Sequence, residues 1–122
     1  MERVLVVDDE VEVCNALKEF LSLKEYEVET ALDGPTALKK VEKFKPHIVL
    51  LDILMPGMGG IDVLKEIRKI NPQIGILMIT AVVDEELANR TIQLGAYDYI
   101  TKPIDLNRLE TVLMVKMIDI MG

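Results

Sequence analysis

The sequence predicts an α/β domain built on a parallel, doubly wound sheet with helices on both faces. Continuously apolar runs of strand length recur at 3–7, 47–51 and 74–80. Segments with apolar residues at three- and four-residue spacing alternate with them, which is the helical period. Strands that are apolar on both sides are buried on both sides, and that is the signature of a parallel sheet whose crossovers are helices. The chain has 122 residues, half of them hydrophobic, which suits one domain with a real core.

The elements follow in order. RVLVV (3–7) is a buried strand, and VEVCNALKEFLSLK (11–24) is a helix with apolar positions 13, 17, 20 and 21 on one side. YEVET (26–30) alternates, so one face of that strand is more exposed. GPTALKKVEKF (34–44) is a helix with Pro35 in its first turn, where a missing N–H does no harm. HIVLL (47–51) is the second continuous apolar strand. GIDVLKEIRKI (60–70) carries Ile61, Leu64, Ile67 and Ile70 at helical spacing, and Pro72 follows its end. IGILMIT (74–80) is a third apolar strand. DEELANRTIQL (84–94) opens on Asp84 as N-cap, has two glutamates in its first turn, and ends at Gly95. YDYIT (97–101) is the last strand and DLNRLETVLMVKMIDI (105–120) the last helix. Five βα units with right-handed crossovers leave few topologies. The simplest is a flavodoxin-like sandwich forming a single domain over 1–122.

Composition narrows the setting. No apolar run reaches the roughly 18 residues of a membrane span, and the short apolar N-terminus is closed by carboxylates, unlike a signal peptide. Cys14 has no partner for an internal disulfide, sits in a predicted helix, and reads as a buried small hydrophobe. A reducing cytoplasm fits these features. The net charge of −7 argues against direct nucleic-acid binding by this domain, and leaves cation binding open.

Ligands of open α/β sheets bind beyond the C-terminal ends of the strands. Asp8 and Asp9 follow the first strand, Asp52 the third, Thr80 the fourth, and Lys102 with Pro103 the fifth. If the first and third strands are neighbours, three carboxylates converge. Such a cluster resists ionisation, and a hard divalent cation such as Mg2+ resolves the conflict with oxygen ligands. A carboxylate can also be the nucleophile that accepts a phosphoryl group, whose oxygens an ammonium and a hydroxyl would hold. Plainer readings exist for each residue: a capping box for Asp9 with Glu12, an Asx turn for Asp52, a helix cap for Thr80, a solvated surface lysine for Lys102, and a half-buried strand position for Tyr99. Asp8 alone has no such alternative. The joint placement is what favours chemistry, because four of five strand ends carry what one site needs.

The fragments VLVVDDE (4–10), VLLDILMPGMGG (49–60), MITA (78–81) and GAYDYITKP (95–103) fall in the order and spacing of one family. The sequence resembles the receiver domain of bacterial two-component response regulators. The resemblance implies a sheet of order 2-1-3-4-5, with Asp52 as phosphoacceptor. Mg2+ would be held by Asp9 directly, by Asp8 mainly through water, by Asp52, and by the backbone carbonyl of Leu54. Thr80 and Lys102 would bind the phosphoryl group, with the Lys102–Pro103 bond cis. Tyr99 would be the aromatic switch that couples Thr80 to the face of the fourth helix, fifth strand and fifth helix. The donor would be a sensor histidine kinase or a phosphotransfer protein. Leu54 and Val82, two residues past Asp52 and Thr80, would flank the path of attacking water, and both are apolar. That implies a long-lived phosphoryl group. Gly59 and Ile104 depart from the family's commoner residues without touching the chemistry.

The last helix is apolar around most of its girth, with Leu109, Val112, Leu113, Met114, Val115, Met117, Ile118, Ile120 and Met121. One stripe serves a core. The surplus predicts a second buried surface, either a homodimer contact or a continuation into another domain of a longer regulator. Competing classes fare less well. An aspartate-nucleophile phosphatase of the haloacid dehalogenase type needs a second Asp where Leu54 stands. A flavodoxin needs a phosphate loop where VDDEVEV repels phosphate. A receiver kept only as a docking module would have no need of the complete Asp8, Asp9, Asp52, Thr80 and Lys102 set.

Overall fold

The structure is a computed structural model and describes residues 1–81 and 84–122. Five strands alternate with five helices: β1 Arg3–Val7, α1 Val11–Leu23, β2 Glu27–Ala31, α2 Gly34–Phe44, β3 Ile48–Asp52, α3 Gly60–Ile70, β4 Gly75–Thr80, α4 Glu85–Gln93, β5 Asp98–Thr101 and α5 Leu106–Met121. All strand pairs are parallel and the order is β2-β1-β3-β4-β5. The doubly wound reading and its implied order therefore hold. Boundaries move by one residue at most elements, and one shift matters: Asp52 is the last residue of β3 rather than the first residue after it.

Side-chain alternation splits the core in two. Val4, Val6, Ile48, Leu50, Leu77 and Ile79 face α1 and α5, where Cys14, Leu17, Leu21, Leu109, Leu113 and Met117 meet them. Leu5, Val7, Val49, Leu51, Ile76 and Met78 face the other way, toward Ala37, Val41, Val63, Leu64 and Ile67 of α2 and α3, with Leu87 of α4 packed at the margin. Strands covered on both faces carry no polar alternation, which is why β1, β3 and β4 read as unbroken apolar runs.

Helix starts follow local chemistry. Asp33, Asp84 and Asp105 each accept hydrogen bonds from first-turn N–H groups of α2, α4 and α5. The N-cap of α1 is Glu10, and its side chain makes no capping bond. The capping-box alternative for Asp9 is thereby withdrawn.

Candidate functional site

Register brings the site together. Val7 pairs with Leu51, so the next residues, Asp8 and Asp52, stand side by side at the C-terminal edge. Thr80 pairs with Thr101, which sets Lys102 one step beyond. The Lys102 N–H also donates to the Thr80 carbonyl at 2.7 Å, closing the two strand ends against each other. Alternation sorts the side chains further. Asp8, Asp52 and Lys102 share the parity of the α1/α5 face, whereas Thr80 follows Ile76 and Met78 toward the opposite face. Tyr99 is half-buried against that same opposite cluster.

Asp8 and Asp52 are 1% and 4% exposed, and Asp9 is open to solvent. One carboxylate oxygen from each of the three lies within 4.8 Å of the others. Asp52 Oδ1 accepts from the Leu54 N–H at 3.2 Å, so the Asx turn is real and coexists with the cluster. Asp8 also has a local bond that sequence reading did not foresee: its Oδ1 accepts from the Glu10 N–H at 2.9 Å. The other oxygen, Oδ2, is buried without a hydrogen bond among the described residues. Lys102 Nζ lies 2.9 Å from it, an ion-pair contact off the hydrogen-bond line.

Electrostatics follow from this crowding. Burial pushes the Asp52 carboxyl up to about 6, the neighbouring Asp8 adds to the rise, and Lys102 opposes it. Burial alone would lower the Lys102 ammonium, but its bond to Glu10, its close contact with Asp8 and the charge of Asp52 outweigh that and hold it above the usual lysine range. The Cys14 thiol donates to the Asp8 carbonyl at 3.3 Å, and burial followed by the Asp8 charge pushes it up to about 11. It is a buried, protonated side chain, as its apolar surroundings suggested.

An acidic pocket with an unsatisfied buried carboxylate oxygen and hard oxygen donors fits a divalent cation. Lys102 alone cannot neutralise three carboxylates. The Lys102–Pro103 bond is cis, as expected. Leu54 is 54% exposed and apolar at the rim, while Val82 lies outside the described residues. Two residues escaped the sequence reading. Glu10 reaches across to Lys102 Nζ at 2.9 Å, and its only signal was the third acid of DDE. Gly60 opens α3 directly against the phosphoacceptor candidate's backbone. A Cβ there would meet the Asp52 carbonyl oxygen and stand 2.7 Å from Ile53 Cα. Its signal was the second glycine of the pair before a helix.

The profile of the response regulator receiver domain matches residues 4–114. The chain belongs to that family. Among curated relatives, the regulatory protein AtoC of Escherichia coli is 37% identical over 113 residues, covering 93% of this chain and 24% of AtoC. The chemotaxis protein CheY of Thermotoga maritima is 39% identical over 109 residues, covering 88% of this chain and 91% of that protein. The CheY-like receiver domain protein of Methanospirillum hungatei superposes with a TM-score of 0.94 at 29% identity, covering 98% of this chain and 96% of that one. The receiver thus spans about a quarter of AtoC and nearly all of the chemotaxis protein. As a receiver it is a signalling module of two-component systems, and the flavodoxin and dehalogenase-type readings fall away. No helix among the described residues is long and apolar enough to cross a membrane.

Proposed function

We propose that this receiver is a phosphorylation-dependent switch, charged on Asp52 by a sensor histidine kinase or a phosphotransfer protein in a Mg2+-dependent reaction. The observation that carries this is Asp52 itself: a carboxylate 4% exposed, at the end of a central strand, with oxygens of Asp8 and Asp9 within 4.8 Å and Lys102 Nζ at 3.6 Å. An Asp52 oxygen attacks the phosphorus of a phosphohistidine. The N–P bond breaks, its electron pair returns to the imidazole, and the ring takes up a proton from solvent.

Asp9, Asp8, Asp52 and the Leu54 carbonyl would hold Mg2+, which offsets the carboxylate charge and that of the incoming phosphoryl oxygens. Lys102 then binds one phosphoryl oxygen and the Thr80 hydroxyl donates to another. The group adds about −1.5 to −2 charge at neutral pH, so drawing Thr80 toward it biases the face on which Tyr99 packs. That relays the event to α4, β5 and α5. On α5, Met114, Val115, Ile118 and Met121 are each half or more exposed, which supports homodimer contact through the same face. The net charge of −7 supports an output other than direct nucleic-acid contact by this domain.

The test is intact-mass measurement after incubation with Mg2+ and acetyl phosphate. One phosphoryl group is expected, lost in Asp52→Asn and blocked by chelator. No labelling would favour a docking module, and rapid multiple turnover of phosphate esters a phosphatase.

A further inference from the structure

Glu10 occupies the N-cap of α1, where its carbonyl accepts from Val13 and Cys14 but its side chain makes no capping bond. Glutamate is also a poor choice for that position. Asp8 Oδ1 instead takes the Glu10 N–H at 2.9 Å. The Glu10 carboxylate is thrown across the site to a residue 92 positions away, with Oε1 2.9 Å from Lys102 Nζ. Lys102 therefore faces three carboxylates, with Asp8 and Glu10 at 2.9 Å and Asp52 at 3.6 Å. Of the three, the ammonium is farthest from Asp52, the residue that is to be phosphorylated.

The two short contacts differ in cost. The Asp8 side chain is 2% exposed and the Glu10 side chain 58%. An ion pair with one partner in solvent is screened and easily exchanged, so Glu10 is the partner that yields when another anion arrives. From this geometry we infer that Glu10 is a positioning residue: an exchangeable counter-ion that holds, on Lys102, the donor position a phosphoryl oxygen takes over. The inference rests on the phosphoacceptor reading above. It assigns Glu10 a share in how fast the receiver is charged, by competition for one N–H rather than by contact with the reacting atoms. Glu10 lies outside the Asp8, Asp9 and Asp52 oxygen cluster, so cation affinity is not its task.

The test uses the whole chain and three proteins: wild type, Glu10→Gln and Glu10→Asp. Glu10→Gln removes the charge, while Glu10→Asp keeps the charge and shortens the reach to Lys102. Labelling of Asp52 by acetyl phosphate, in which a carboxylate oxygen displaces acetate from phosphorus, is timed by intact mass at saturating Mg2+. Affinity for beryllofluoride, which mimics the acyl phosphate, and for Mg2+ alone are measured by calorimetry. Both variants should label about two- to fivefold faster and bind beryllofluoride tighter by a similar factor, the span an exposed ion pair is worth. Their Mg2+ affinity should match wild type. Glu10→Asp behaving as wild type would reduce the effect to bulk charge and overturn the inference, as would unchanged or slower labelling in Glu10→Gln, or weakened Mg2+ binding. If wild type itself is not labelled, the phosphoacceptor reading fails first.

Discussion

The two ends of the sheet are built to opposite rules. At the N-terminal end cationic side chains meet backbone carbonyls, although Arg68 Nε is buried without a hydrogen bond among the described residues. Arg68 donates to the carbonyls of Pro72 and Ile74, Arg3 Nε to that of Lys45 at 2.9 Å, and His47 Nδ1 accepts the Arg3 N–H at 2.9 Å. Here helices end, and cations belong there because carbonyl ends are negative. At the C-terminal end, Asp8 and Asp52 are buried side by side and one Asp8 oxygen has no hydrogen bond among the described residues. The contrast is between an end where cations meet carbonyl oxygens and one where two buried carboxylates crowd together, and the second is where ligand chemistry belongs.

Breaking the cationic end should show the largest effect. Arg68→Ala removes two charge-assisted bonds to backbone carbonyls, for a loss of about 3 kcal/mol in urea unfolding. A loss under about 1 kcal/mol would mean that these bonds contribute little. Filling the acidic end should work in the other direction. Mg2+ at about 100 times its dissociation constant should add about 2.7 kcal/mol to wild type, with a much smaller gain in Asp52→Asn, read by thermal unfolding with and without chelator.

Neutralising that end without a cation comes next. Burial, then the Asp8 charge, raises the Asp52 carboxyl from its ordinary 3.8 to about 6, so its ionised form destabilises the folded state once pH rises above the unfolded value. In chelator, Asp52→Asn should therefore be more stable than wild type by on the order of 2 kcal/mol above pH 6. The gain should shrink between about pH 6 and 4 and vanish below. His47 runs the other way: burial, then the Arg3 charge, holds its pKa below the ordinary value. Its contribution is present when neutral and falls as pH drops through about 6.5. Acid thus relieves one end and harms the other. The smallest effect is kinetic. Loss of phosphoryl from wild type should be a few-fold slower than from a Leu54→Asn, Val82→Glu variant, roughly 1 kcal/mol in barrier. Equal or faster loss in wild type would remove Leu54 and Val82 as timers.

Much of this was written in the chain itself. Apolar runs without polar alternation dictated central parallel strands, because only a strand covered on both sides can afford none. Those runs end on Asp8, Asp52, Thr80 and Lys102, so the occupants of the site's edge could be read from position alone. The excess of apolar residues on α5 likewise announced an uncovered stripe, and Met114, Val115, Ile118 and Met121 lie exposed as that excess required.

Other features needed the third dimension. Sequence placed Asp8 and Asp9 together after the first strand, and the fold buries one and exposes the other because they fall on opposite parities at a strand end. Sequence gave Glu10 no role, since its partner lies 92 residues away. The close approach of Gly60 to the backbone of Asp52 is a distance between two elements, and no local pattern encodes it. Periodicity and chain order determine which elements form and what stands at their ends, because those are set by solvent and by neighbours along the chain. Which charges face one another, and how strongly a carboxylate resists ionisation, are set by neighbours in space, and only the folded sheet supplies them.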